Sequence, residues 1–168
     1  AFRPNRLLDE APSRVALDRA DGLAVVAGEI VVSADNTVYT LAADGTLKAR
    51  RSFAAPVTAI AAVGDGGFAA ALESGDIVFH GGAFEGRSYK AGEGLRCVPA
   101  LAVSDGHLFV ANGSATNGPA DWQRDLLERN ASGSIWRIEL AGGASARLAA
   151  GLAWPAGLVV DAEGVVFS

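Results

Sequence analysis

The sequence predicts an all-β fold, a β-propeller of four-stranded blades, of which it spans about three and a half. Three observations carry this reading. Turn glycines Gly28, Gly66, Gly106 and Gly164 recur at intervals of 38, 40 and 58 residues. Between them, short apolar segments are separated by Gly, Asn and Asp turns, and a repeat of about 40 residues with four short strands is the mark of a propeller blade. Charge is graded within each repeat: the first segment is the least charged and the fourth carries most of the Lys and Arg, as blades radiating from a channel require. A β-sandwich with turns at the same spacing is the alternative.

Bulk composition agrees. Half of the 168 residues are hydrophobic, 20% are charged and 21 are glycine, which suits many short strands and tight turns in one domain, a partial propeller over 1–168. No apolar run approaches the roughly 18 residues of a membrane span. The net charge of −5 is spread among interspersed acids and bases, and the lack of a basic patch speaks against nucleic acid as a partner. Cys97 is the single cysteine, which excludes an intrachain disulfide and a cysteine metal site and reads as a buried, inert thiol. The chain starts without methionine and shows no secretory pattern, so it reads as a fragment or processed product, and no segment signals a compartment.

The elements follow in order. Residues 13–18 alternate as a strand does, and in a closed ring they would supply the outer strand of the last blade. The first blade, 21–52, reads as strands over 22–26, 29–33, 37–41 and 46–52. They are joined by Ala27-Gly28, the Ala34 to Asn36 turn and Asp44-Gly45, all strong turn chemistry. The second blade, 57–90, repeats this with strands over 57–63, 68–72, 76–80 and 86–90. The third, 98–149, has strands over 98–103 and 107–112, a helical insertion over 118–130, then strands over 133–140 and 144–149. A fourth blade begins within 155–168. In the insertion, Pro119 suits a first helical turn with Asn117 or Gly118 as cap. Trp122, Leu126 and Leu127 form an apolar stripe, and Asp121–Arg124 and Asp125–Arg129 are spaced to pair on the solvent side. Such an insertion lies over one face of the propeller. An arc of three and a half blades leaves apolar blade faces and strand edges open, so the remaining blades or another chain are expected as partners.

One stretch resembles a known family. From Phe109 onward the order is Phe-Val-Ala-Asn-Gly-Ser, then Asp121-Trp-Gln-Arg-Asp-Leu-Leu-Glu128, then Ser132-Gly-Ser-Ile-Trp-Arg137. Ala150-Gly-Leu-Ala-Trp-Pro-Ala-Gly-Leu158 and Gly164-Val-Val-Phe-Ser168 complete it. This resembles the strictosidine synthase-like proteins, whose superfamily includes the SMP-30/gluconolactonase and paraoxonase-like hydrolases. The resemblance covers the last 60 residues; the earlier blades share only the rhythm. It implies a six-bladed propeller with a small-molecule site at the channel mouth, capped by the inserted helix. In the hydrolase branches it further implies Ca2+ held by Glu, Asn and Asp at the tops of inner strands, polarising a lactone or ester carbonyl.

Several positions depart from that pattern. Aligning the inner strands on Leu23, Leu101 and Leu158 makes Asp21, Pro99 and Ala156 equivalent, with Val57 or Thr58 in the second blade. Only Asp21 keeps a carboxylate, and Pro99 and Ala156 stand where oxygen ligands are expected. Three functions follow: a small-molecule hydrolase of lactone or ester type, a metal-free propeller that binds a ligand or protein partner without catalysis, and a strictosidine synthase-type enzyme forming carbon–nitrogen bonds. The candidate ligand-binding residues are Asp21, Arg96, Asn112 and Trp154, with Asp21 also the candidate metal ligand. Each has a plainer reading: a turn aspartate, a rim arginine, a turn asparagine and a blade-packing tryptophan. His80 and His107 read as strand-end residues, Ser114 and Ser132 lie in no nucleophile motif, and no catalytic residue is identifiable.

Overall fold

The structure, a computed structural model, describes residues 15–64, 66–90 and 95–168. The first sheet is β1 (Ala20–Val26), β2 (Glu29–Ala34), β3 (Thr37–Leu41) and β4 (Leu47–Ser52). The second is β5 (Val57–Val63), β6 (Gly67–Leu72), β7 (Ile77–His80) and β8 (Ser88–Tyr89). The third is β9 (Ala100–Ser104), β10 (His107–Asn112), β11 (Gly133–Glu139) and β12 (Ser145–Leu152), and a two-stranded sheet, β13 (Leu158–Asp161) with β14 (Gly164–Phe167), follows. Every sheet is an antiparallel meander in chain order, and the first strands β1, β5, β9 and β13 lie side by side. This is a partial β-propeller: three complete blades and the inner hairpin of a fourth.

Blade-on-blade burial explains the sequence pattern. A strand with neighbours on both faces cannot alternate apolar with polar, because period-two side chains point to opposite faces and both are dry. β6 is the extreme case, with all six residues buried and Ala69, Ala70 and Ala71 at 0% exposure. Phe68, Ala70 and Leu72 join Val26, Val31, Val38 and Ile60 between the first two blades. Ala69 and Ala71 face the other way, joining Ile77, Phe79, Leu101, Leu108, Val110 and Ile138 between the second and third. The outer strands β4 and β12 have almost no buried residue, which is where the charge gradient placed the Lys and Arg.

The inner hairpins turn as the glycine rhythm requires. Ala27-Gly28 and Asp105-Gly106 are two-residue loops in which both residues have positive φ, the twist that a tight hairpin needs. In the fourth blade the marker glycine is displaced. Gly164 pairs with Asp161 inside the ladder, and the loop is Ala162-Glu163. Asp161 Oδ1 organises it by accepting the Glu163 and Gly164 N–H groups at 2.8 and 3.0 Å.

Other expectations need correction. Val15 to Asp18 form no strand; residues 13 and 14 lie outside the described residues. The expected outer strand over 86–90 shrinks to two residues and follows a 3-10 turn (Gly82–Phe84). Side chains hold that edge instead: Arg87 Nη1 donates to the Leu140 and Ala141 carbonyls at 3.1 and 3.0 Å, and Tyr89 Oη donates to Leu140 O at 2.8 Å. The inner strand of the third blade starts at Ala100, after Pro99, which has no N–H for a ladder.

The helix departs most. It consists of a 3-10 turn (Pro119–Asp121) and one short α-helix, α1 (Trp122–Leu127). The predicted apolar stripe faces water, with Trp122, Leu126 and Leu127 at 46%, 43% and 84% exposure, and the buried residue is Asp125. Arg124 pairs with Glu128, Nε to Oε1 at 2.7 Å, rather than with Asp121. Asp125 turns inward, away from Arg129.

At the two ends of the arc the apolar residues are uncovered. Leu23 and Val25 of β1 are 67% and 61% exposed, and Val159 and Val166 of the last hairpin are each 55% exposed. Exposed blade faces of this kind drive association. Light scattering of the 168-residue chain should show species larger than a monomer, reduced by Val25→Lys with Val166→Lys. A strict monomer at high concentration contradicts the incomplete arc.

Candidate ligand site at the channel mouth

The tops of the inner strands build the site. Register slips between Ala20 and Leu23 in the first blade and between Val57 and Ala59 in the second. These irregularities take Asp21 and Thr58 out of the regular ladder and re-aim them, as bulges do. Gly22 fills the first bulge because space is lacking: a Cβ there would lie 2.6 Å from Ser33 Oγ, the same oxygen that accepts the Gly22 N–H at 2.9 Å. Thr58 Oγ1 donates to Val98 O at 2.8 Å, tying the second inner strand to the segment before the third. Asp21, Thr58 and Pro99, aligned from sequence, line one hollow of about 420 Å³. Ala156 is not among its lining residues.

Trp154, Trp122 and Pro119 complete the hollow. Trp154 adopts a positive φ of 47°, and its indole lies over Gly113, where a Cβ would sit 3.1 Å from the ring. The next residue, Pro155, is fully buried. It presses on Gly133, where a Cβ would be 2.5 Å from the proline ring and 2.7 Å from Leu152 O. Two glycines on the third blade therefore form a cradle for the Trp154-Pro155 pair, and neither position admits a side chain.

A buried polar cluster positions the inserted segment. Asp125 is 0% exposed, and its Oδ1 accepts Ser114 Oγ–H at 2.7 Å and Asn117 Nδ2–H at 2.8 Å. Ser114 Oγ in turn accepts the N–H groups of Thr116 and Asn117 at 3.1 and 3.0 Å, and Ser132 Oγ accepts that of Ala115 at 3.1 Å. Asp125 Oδ2 is buried without a partner among the described residues, so the bonds at Oδ1 are what offset the burial of the acid and fix how α1 sits. Trp122 is thereby left at the hollow's rim. Ser114 and Ser132 have a role here, as positioning groups, that no motif announced.

Asn112 and Arg96 are placed elsewhere. Asn112 is fully buried at the end of β10. Its Oδ1 accepts the backbone N–H groups of Arg96 and Cys97 at 3.0 and 3.1 Å, and Gly113 N–H donates to Cys97 O at 2.8 Å. The segment entering the third blade is clamped this way. The Arg96 side chain is exposed and does not line the hollow. His107 Nδ1 lies 2.8 Å from Asp105 O at a hairpin turn, and His80 Nδ1 lies 2.8 Å from Glu85 Oε2; both stand at strand ends.

Calcium takes about six to eight oxygen ligands. The hollow's side chains supply the Asp21 carboxylate and the Thr58 hydroxyl. The hydroxyl hydrogen is engaged by Val98, and no group of three His, Cys, Asp or Glu that could hold a metal ion occurs among the described residues. These residues do not fit a calcium site by themselves.

No protein-family model and no curated protein matches the sequence. Solved structures do match by fold. The computationally designed Ika4 protein aligns with a TM-score of 0.64 at 15% identity, over 93% of this chain and 88% of that one. Hydrazine synthase of Kuenenia stuttgartiensis aligns at 0.64 and 13% identity, over 88% of this chain and 43% of its own. BamB of Moraxella catarrhalis aligns at 0.51 and 17% identity, over 76% of this chain and 36% of its own. At these identities the likeness is one of fold alone. Against the two natural proteins this chain spans less than half their length. No described helix is long and apolar enough to cross a membrane.

Cys97 lies at the base of the hollow. Burial, reinforced by the negative charges of Asp125 and Glu73, pushes its thiol from 9.0 up to about 12. The folded state therefore holds this proton more tightly than the unfolded chain does. Cys97 contributes stability that is full below pH 9 and lost as pH rises toward 12. A thiol reagent at pH 8 should label the unfolded chain rapidly and the native chain slowly, at the rate of opening. Rapid native labelling contradicts the placement.

Proposed function

We propose that this chain is part of a ligand-binding β-propeller that works at its channel mouth without catalysis. One observation carries the reading: among the described residues a single carboxylate, Asp21, shares a hollow with two indoles and two prolines, and Cys97, with its raised pKa, is the only other titratable residue lining it. General acid–base chemistry needs a group matched to the operating pH and placed against a partner, and a protonated thiol beside one carboxylate offers no such pair. Aromatic and proline walls with one oriented charge suit recognition. The six-blade count and a strictosidine synthase-like or SMP-30/gluconolactonase-like affiliation belong to this proposal, supported by the motif order over 109–168. A calcium-dependent lactonase or esterase is the second reading. Asp21 at an inner-strand top favours it, and it requires oxygen donors beyond those described.

The test is a thermal-shift screen of small organic compounds, with hits followed by quenching of indole fluorescence. Hits should lose about tenfold or more in affinity on Trp154→Ala or Asp21→Asn, should not be turned over, and should bind equally with chelator present. A calcium-dependent rise in melting temperature together with lactone or ester hydrolysis would sink the binding reading in favour of the hydrolase.

A further inference from the structure

The hollow at the mouth does not end at Asp21. A second hollow, of about 440 Å³, adjoins it and shares Asp21, Thr58 and Pro119. The two make one open groove from Trp154 across the tops of the second and first blades. Its two halves differ in chemistry. Toward Trp154 and Trp122 it is apolar, lined also by Leu23, Ile60 and Leu101. Toward the first blade it is acidic: among the described residues Asp21, Asp35 and Glu73 line it against one base, Arg19, whose Nη1 stands 3.9 Å from Asp35 Oδ1. The acids are fixed by backbone. Asp35 sits in a turn at a φ of 53°, and the Glu73 N–H donates to Pro56 O at 2.8 Å.

We infer that this groove takes an extended peptide segment of a protein partner, with basic residues over Asp21, Asp35 and Glu73 and an apolar residue against Trp122 and Trp154. The inference rests on the ligand-binding reading above and names its occupant. Charge complementarity sets the polarity, since three carboxylates against one guanidinium favour a cationic partner. The groove runs through two hollows joined at Asp21, Thr58 and Pro119, a length that a compound held at one hollow leaves half empty and an extended chain would fill.

The probe is a set of acetylated, amidated hexapeptide libraries, one enriched in Lys and Arg, one in Asp and Glu, and one uncharged. Binding to the 168-residue chain is read by indole quenching and by anisotropy of labelled peptide. The basic library should bind preferentially and weaken at least tenfold between about 50 and about 500 mM salt. It should lose about fivefold or more on Asp35→Asn with Glu73→Gln. Both positions are exposed, and asparagine accepts the positive φ, so the variant should keep the parent circular dichroism. Equal binding of the acidic or uncharged library, or no effect of the double variant, overturns the inference. If no library binds while the compounds that require Trp154 and Asp21 still do, the peptide falls and the ligand-binding reading stands. If neither binds, both fall. Shielding of Trp122 from a soluble quencher that grows with protein concentration alone would give the groove to a second copy of the chain and overturn it as well.

Discussion

Everything in this arc depends on how closely the second blade is gripped by its neighbours. β6 is a strand with no free face, and its three central residues are alanines with no exposed surface. Side chains that small let the backbones of adjacent blades approach, while larger residues on the next strand out, Ile77 and Phe79 of β7, fill the wider space toward the periphery. The wedge shape that makes blades radiate is thus written in side-chain volume. Interiors this dense tolerate little extra volume, and the same constraint sets where the inner strands stand and hence the geometry of the mouth.

The mouth itself is assembled from local exceptions to regular structure. Bulges at the tops of β1 and β5 deliver Asp21 and Thr58, a proline replaces ladder pairing before β9, and a positive-φ tryptophan rests on a glycine cradle. The inserted segment is held by a carboxylate rather than by apolar packing. That choice inverts α1: the Asp125 side is inside with Ser114 and Asn117, and Trp122, Leu126 and Leu127 are left for something outside the blade. In a helix of six residues, turning Asp125 inward carries Leu127, about 200° further round, to the outside, and a buried acid costs more to leave unpaired than a leucine costs to expose.

The repeat, the blade count within the chain and the inner strand order were legible because each rests on short-range chemistry: glycine and aspartate at tight turns, and apolar runs where both faces are dry. Laying the repeats over one another aligned Asp21, Pro99 and Ala156 and left Val57 or Thr58 open in the second blade; the hollow takes Asp21, Thr58 and Pro99 and not Ala156. What was not legible depended on distant partners. The burial of Asp125 is decided by Ser114 and Asn117, whose hydroxyl and amide look in sequence like loop residues. The outer edge of the second blade is decided by Arg87 and Tyr89 reaching the third blade, which stands in for a full strand. The loop at Asp161 shows the limit of glycine as a marker, because an aspartate carboxylate turns the chain one residue before Gly164. The strictosidine synthase-like motif order over the last third points to the right class of scaffold, and the fold comparisons support the propeller without reaching to that family.

Native-state hydrogen exchange tests the central claim most directly, since amide protection reports how much structure must open before a strand releases its bonds. If β6 is the strand clamped from both sides, the amides of Ala69, Ala70 and Ala71 are among the slowest in the chain, and those of β13 and β14, at the open end of the arc, exchange orders of magnitude faster. Exchange of β6 at the rate of β14 would contradict the blade-on-blade arrangement.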